Sequence, residues 1–246
     1  MKKLLGMGLP ALALLLSPAA FAEEHFTDEF PVADCRFRAS GGNDYFSLSV
    51  GYQLYLTNAA CVAEEECEEL EEVWISVLND KRQITFELDG QSIDVNARVV
   101  EELELEDGEI AEVSRNFFAV CKDTGDVYYF GEDVDNYEDG EIDNHEGAWL
   151  AGENGALPGL IMPGGAFLLG AGYFQEIAPG VALDRGRHVD MGLTVTVPAG
   201  QFENCVMIED SNALEPEDDP DPKVYCPGVG LVIDEELELT AIYGDF

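Results

Sequence analysis

Twelve residues from Asp135 to Glu146 carry carboxylates at the spacing of a calcium-binding loop. Asp135 takes position one, Asp139 position five, Asp143 position nine and Glu146 position twelve. Gly140 falls at six, where that loop turns sharply. Calcium takes six to eight hard oxygens, and a Glu closing the loop with both oxygens would supply two of them. Tyr137 breaks the pattern at position three, where Asp or Asn belongs. Both flanks also read as strands, and Asp139-Gly140 is a hairpin signal that needs no ion. Calcium is the one candidate cofactor, with Asp135, Asp139, Asp143 and Glu146 as its ligands.

Other chemistry is thinner. Glu132, Glu146 and Glu176 would make a paired-carboxylate hydrolase site if they converged, but among 51 acids some pair always can. His145 stands beside Glu146, with Glu132 across the hairpin. His188 stands near Asp184 and Asp190, and His25 near the start. Histidines at no recognised metal spacing are more simply side chains next to carboxylates. No Gly-x-Ser-x-Gly occurs, and Gly164-Gly165 and Gly170–Gly172 form no phosphate cradle. No catalytic residue is assigned. The remaining candidate is apolar. Leu160, Met162 and Phe167, with Trp149 and Tyr173 close by in sequence, could line or lid a pocket for a small hydrophobic or lipid-like ligand. The plainer alternative is that they plug the core.

Composition limits the partners. The 12 basic residues against 51 acidic ones give a net charge of −39. That field repels phosphate backbones and anionic headgroups, which excludes nucleic acid and argues against membrane association. Cationic partners and divalent ions are favoured. Spread along the whole chain, the acids also suit a surface that stays soluble in salt. The first twenty-two residues hold none of them. Lys2 and Lys3, an apolar run from Leu4 to Leu16 and small residues ending at Ala22 have the profile of a cleavable secretory signal. The run is too short for a spanning helix. Periplasmic or extracellular residence follows, and with it disulfides for Cys35, Cys61, Cys67, Cys121, Cys205 and Cys226. Fifteen pairings are open. The preferred set is Cys205–Cys226 across neighbouring strands, Cys61–Cys67 around Glu64–Glu66, and Cys35–Cys121.

The elements that must position these residues are strands. Asp89-Gly90, Asp107-Gly108, Thr124-Gly125 and Asp139-Gly140 punctuate the chain as hairpin turns. Between and after them lie Ile84–Leu88, Ser92–Leu105, Ile110–Cys121, Val127–Asp135 and Glu141–Leu150. Tyr52–Leu56 and Val73–Val77 precede these, flanking an acidic insert from Asn58 to Glu72. Gly172–Ile177, His188–Val197, Phe202–Glu209, Val224–Ile233 and Glu236–Ile242 come later. Ile93 to Val99 alternates apolar and polar, the pattern of a sheet with one face in a core and the other in water. Ser92–Leu105 exceeds an ordinary strand, which predicts a bulge near Val99–Glu101. The stretch Gly152–Gly165, with Pro158 and Pro163, reads as a crossing loop that packs inward. No helix of convincing length appears.

Val127-Tyr128-Tyr129-Phe130-Gly131-Glu132-Asp133, His145-Glu146-Gly147-Ala148-Trp149-x-Ala151-Gly152 and Tyr225-Cys226-Pro227-Gly228-Val229-Gly230-Leu231-Val232 follow one another in a characteristic order. This pattern resembles a widespread family of exported bacterial β-rich proteins of unknown function, over roughly Tyr45 to Ile242. The resemblance implies a secreted curved sheet like those of periplasmic lipoprotein carriers, and it transfers no catalytic residue. Cys226 departs from it, standing where a small apolar residue is more usual. The expectation is therefore an all-β protein with a signal peptide (1–22), a flexible segment (23–44) and one domain (45–246). That domain is a single curved antiparallel sheet, or an open or closed barrel, of about eleven strands. Its concave side is apolar and its outside coated with carboxylates. A non-enzymatic binding or structural role leads, ahead of a calcium binder and a carboxylate-dependent hydrolase.

Overall fold

The structure, a computed structural model, describes residues 25–246. The leader assigned to 1–22 lies outside them. Three short strands come first: β1 (Phe37–Arg38), β2 (Gly42–Asn43) and β3 (Phe46–Ser47). β4 (Gln53–Thr57) and the five-residue helix α1 (Ala59–Ala63) lead into four long strands. These are β5 (Glu71–Leu88), β6 (Gln91–Glu106), β7 (Glu109–Cys121) and β8 (Val127–Glu138). Shorter ones follow: β9 (Glu141–Asn144), β10 (Trp149–Leu150), β11 (Leu157–Met162), β12 (Gly172–Phe174) and β13 (Glu176–Ile177). β14 (Asp184–Val197), β15 (Gly200–Asn212), β16 (Asp221–Cys226), β17 (Gly230–Asp234) and β18 (Leu237–Tyr243) complete the chain.

One antiparallel sheet takes nearly all of them, in the order β12-β14-β15-β16-β17-β18-β4-β5-β6-β7-β8-β11-β13. Its two edge strands, β12 and β13, are consecutive in the chain and separated only by Gln175. The ends of the sheet therefore meet, and the result is a nearly closed barrel. The turns act as the sequence predicts. Asp89 and Gly90 (φ 52° and 76°), Asp107 and Gly108 (50° and 84°), and Asp139 and Gly140 (55° and 78°) all take the left-handed conformation of two-residue hairpins. Gly131 has a structural duty of its own. At φ 136° it lets β10 approach so closely that a Cβ there would lie 2.4 Å from the Trp149 carbonyl oxygen.

Several boundaries differ from expectation. Val73–Val77 and Ile84–Leu88 belong to one strand, β5, and Val224–Ile233 splits into β16 and β17 at the turn after Cys226. The predicted crossing loop contains β11, which pairs with both β8 and β13. The bulge expected in β6 sits instead on its partner. Opposite Val99, β5 carries extra residues between Val77 and Lys81. The buried Arg98 explains where: its guanidinium donates to the carbonyls of Leu78 (3.2 Å), Asn79 (2.9 Å) and Asp80 (3.3 Å), and across to Ala39 (2.8 Å).

The segment 23–44, expected to be flexible, is tied to the barrel from residue 25 on. Thr27 bridges to Tyr173, and β1 pairs with β7. Phe37 meets Tyr128 and Phe130 edge-on, at 5.7 and 5.1 Å between ring centres. Phe30 also meets Tyr128 edge-on at 6.0 Å, so the two rings of the N-terminal segment cover an apolar surface of Tyr128 and Phe130 that water would otherwise wet. All three preferred disulfides form: Cys35–Cys121, Cys61–Cys67 and Cys205–Cys226. They belong to an oxidising, exported environment. Among the described residues, no helix is long and apolar enough to cross a membrane.

Candidate functional site

The barrel is hollow, with an interior cavity of about 550 Å³. Its floor is apolar. Leu54, Val77, Val100, Phe118 and Leu231 point into it from β4, β5, β6, β7 and β17. Tyr45 and Phe46 of the N-terminal segment complete the floor. That segment is anchored: Gly228 N donates to the Asp44 carbonyl (2.8 Å) and Asn43 Nδ2 to the Gly125 carbonyl (3.1 Å). The Tyr52 hydroxyl donates to the Val229 carbonyl at 2.7 Å, fixing the floor from a second side.

Further along β6 and β7 the same face turns polar and then acidic. On β6 the inward series runs Val100, Glu102, Glu104; on β7 it runs Phe118, Asn116, Ser114, Glu112. Register places Glu104 directly opposite Glu112 and Glu102 opposite Ser114. Glu132, Asp184, Asp210 and Asp234 continue the ring on β8, β14, β15 and β17. Exposed Glu215, Asp221 and Glu235 mark the mouth. The expectation of an apolar concave side is thus half corrected. Alternation along β6 is as read, but the face holding Glu102 and Glu104 is the interior, not the water side. Among the described residues, Lys223 is the only basic side chain lining the cavity, and it is already engaged, 3.1 Å from Asp234 and 3.8 Å from Asp210.

Burial makes several members of this ring hard to ionise. Glu102 is pushed up to about 8 by burial and then by Glu104, with Lys223 opposing. Burial and Glu112 raise Glu104 to about 7. Glu132 reaches about 7 through burial, partly offset by the Tyr129 hydroxyl. Asp210 also reaches about 7, burial outweighing Lys223 and the Gln175 amide that donates to it at 3.0 Å. Burial alone would lower Lys223, but Asp234 and Asp210 outweigh it and hold it charged. Glu176 is the deepest of the acids, only 5 % exposed, and its Oε2 has no hydrogen-bond partner. Burial, the neighbouring Asp184 and Glu132 hold it well above the usual carboxylate range. The Trp149 indole N–H lies near enough to favour its ionised form, yet outside hydrogen-bond geometry.

Of the hydrolase trio, the structure brings Glu132 and Glu176 into one cavity and leaves Glu146 exposed on the far side of the β9 turn. The four calcium ligands do not converge. Asp135 lies on β8 and Asp139 at the hairpin tip, four strand residues or roughly 13 Å apart. Asp135 is taken by Arg115 (3.0 Å) and His145 (3.0 Å), while Asp143 contacts Asn144. Among the described residues, no group of three or more His, Cys, Asp or Glu is placed to hold a metal ion.

The apolar candidates also lie elsewhere. None of Trp149, Leu160, Met162, Phe167 and Tyr173 lines the cavity. Trp149 packs edge-on against Tyr129, and Met162 is completely buried in the core. Phe167 stacks on His188 at 3.7 Å, and Tyr173 reaches His188 Nε2 at 3.1 Å. His188 is therefore a core histidine, pushed down to about 4 by burial. The cavity-lining residues that sequence reading missed are Glu102, Glu104, Asp210 and Lys223. The one signal for them is Lys223 itself, a lysine in a stretch otherwise rich in acids. No protein-family model, no curated protein and no solved structure matches this chain.

Proposed function

We propose that this protein is an exported, non-enzymatic carrier that holds a small molecule inside its barrel. The observation that supports this most directly is the hollow interior: about 550 Å³ with a floor of Leu54, Val77, Val100, Phe118 and Leu231. Cavities of several hundred cubic ångströms lined by such side chains suit small organic ligands. Residence in the periplasm or outside the cell accords with the three disulfides.

An environment-sensitive neutral dye such as N-phenyl-1-naphthylamine tests the reading. Its fluorescence should rise and saturate at one dye per chain. Val100→Trp, which fills the floor, should abolish the rise. No rise, or one that survives the filled floor, would defeat the carrier reading.

A second reading is a hydrolase, and one observation favours it. Glu132 and Glu176 line one cavity, and burial holds the Glu132 proton up to about 7, as a general acid requires. Turnover of a panel of nitrophenyl glycosides, lost in Glu176→Gln, would support it. Absence of turnover across the panel would count against it.

A further inference from the structure

We infer that the carrier's ligand is a small amphipathic organic cation, its ammonium or guanidinium head held by the carboxylates at Glu176 and its apolar body on the floor. This rests on the carrier reading and specifies its ligand class. Three observations carry it. First, the cavity is divided by depth: aliphatic and aromatic side chains below, carboxylates above. A ligand that fills it must be apolar at one end and polar at the other.

Second, the polar half holds carboxyls that a positive charge beside them would keep ionised in place of their protons. Lys223 already has Asp234 and Asp210 within 4 Å and acts on Glu102 and Glu104 only from farther off, which leaves Glu132, Glu176 and Asp184 without a basic side chain beside them among the described residues that line the cavity. An anionic head would meet no free cation there and would be repelled. A neutral head would leave the acids as they are. Third, Glu176 is more than nine-tenths buried, lines the cavity and presents an oxygen with no donor. A buried acceptor without a partner is unfavourable, and an ammonium carries three donors. A metal ion fits this demand poorly. It needs several oxygens converging within 2.0–2.6 Å, and among the described residues no such group exists. An ammonium or guanidinium accepts carboxylates spread around it.

Calorimetric titration with three probes of matched chain length tests the inference: n-octylammonium, n-octanol and n-octanoate. Octylammonium should bind one per chain, at least 10-fold tighter than octanol, with octanoate weaker still. Glu176→Gln, near-isosteric and uncharged, should weaken octylammonium at least 10-fold and leave octanol unchanged. Asp184→Asn should do likewise, which guards against a single variant that fails to fold. Equal affinities for octylammonium and octanol would overturn the cation head while the carrier reading stands. Binding of none of the three would overturn both. Octylammonium binding that survives both variants would be adsorption to the acidic surface, and would overturn the assignment.

Discussion

Glu102 shows how far a single side chain can run against the habit of its type. In water it would lose its proton near pH 4.5; inside the barrel it keeps it to about 8, with Glu104, Glu132 and Asp210 close behind at about 7. A carboxyl that binds its proton more tightly folded than unfolded stabilises the fold at low pH and loses that contribution as pH rises through the folded value. Stability should therefore fall as pH rises toward 8. His188 works in the opposite sense, since burial pushes it down to about 4, and its contribution is complete above 6.5. The carboxyls act alone between about pH 6.5 and 8. There the slope is up to about 1.4 kcal/mol per pH unit for each extra proton held. Urea midpoints should decline over that window and level off above it. Glu102→Gln should flatten the curve and exceed the parent in stability at pH 8.5. A midpoint that climbs from 6.5 to 8 would refute the buried acids. None of this was visible in the residue itself, because Glu102 and Glu101 look alike in a sequence and only the side of the sheet separates them.

At the scale of the element, β5 and β6 were legible as a hairpin from Asp89-Gly90 and from the alternation of Ile93, Val95 and Ala97. The location of the bulge was not. Length alone says that a long strand must bend; which of two partners carries the extra residues depends on what fills the gap. Here Arg98 fills it, donating to three carbonyls of the bulge and one of the N-terminal segment. Arg98→Met keeps the volume and removes every donor, leaving those carbonyls without it. The cost should be about 1–3 kcal/mol, the range for leaving acceptors unsatisfied. Arg98→Lys should fall between, since one ammonium cannot span the same fan of oxygens. Urea denaturation measures both, and a loss under about 1 kcal/mol for Arg98→Met would mean that water replaces the guanidinium. The disulfides show the reverse case. Cys205–Cys226 was readable because Phe202–Glu209 and Val224–Ile233 are successive strands, and successive strands in a meander lie side by side.

For the whole molecule, the all-β class and the antiparallel order follow from hairpin turns spaced along the chain, whereas closure does not. It depends on Gln175 standing between β12 and β13, a junction that no local pattern marks. Closure in turn decides what the net charge of −39 means. On an open sheet every carboxylate could turn to solvent; in a closed barrel several face one another across the interior. The outer carboxylates still repel one another through water, and that repulsion is the part salt relieves. The screening length shrinks from about 30 Å at 0.01 M to about 8 Å at 0.15 M ionic strength, so most relief comes within that range. The melting temperature should rise steeply up to about 0.15 M salt, and by the same amount in sodium chloride and sodium thiocyanate. Equality of the two salts matters, because an effect on apolar burial would separate them by their opposite action on hydrophobic association. The interior acids lie behind the wall, where screening is weaker, so Glu102→Gln should raise the whole curve without changing its steepness. A flat salt response would mean that the exposed carboxylates lie far enough apart to ignore one another. A response lost in Glu102→Gln would place the repulsion inside the barrel instead.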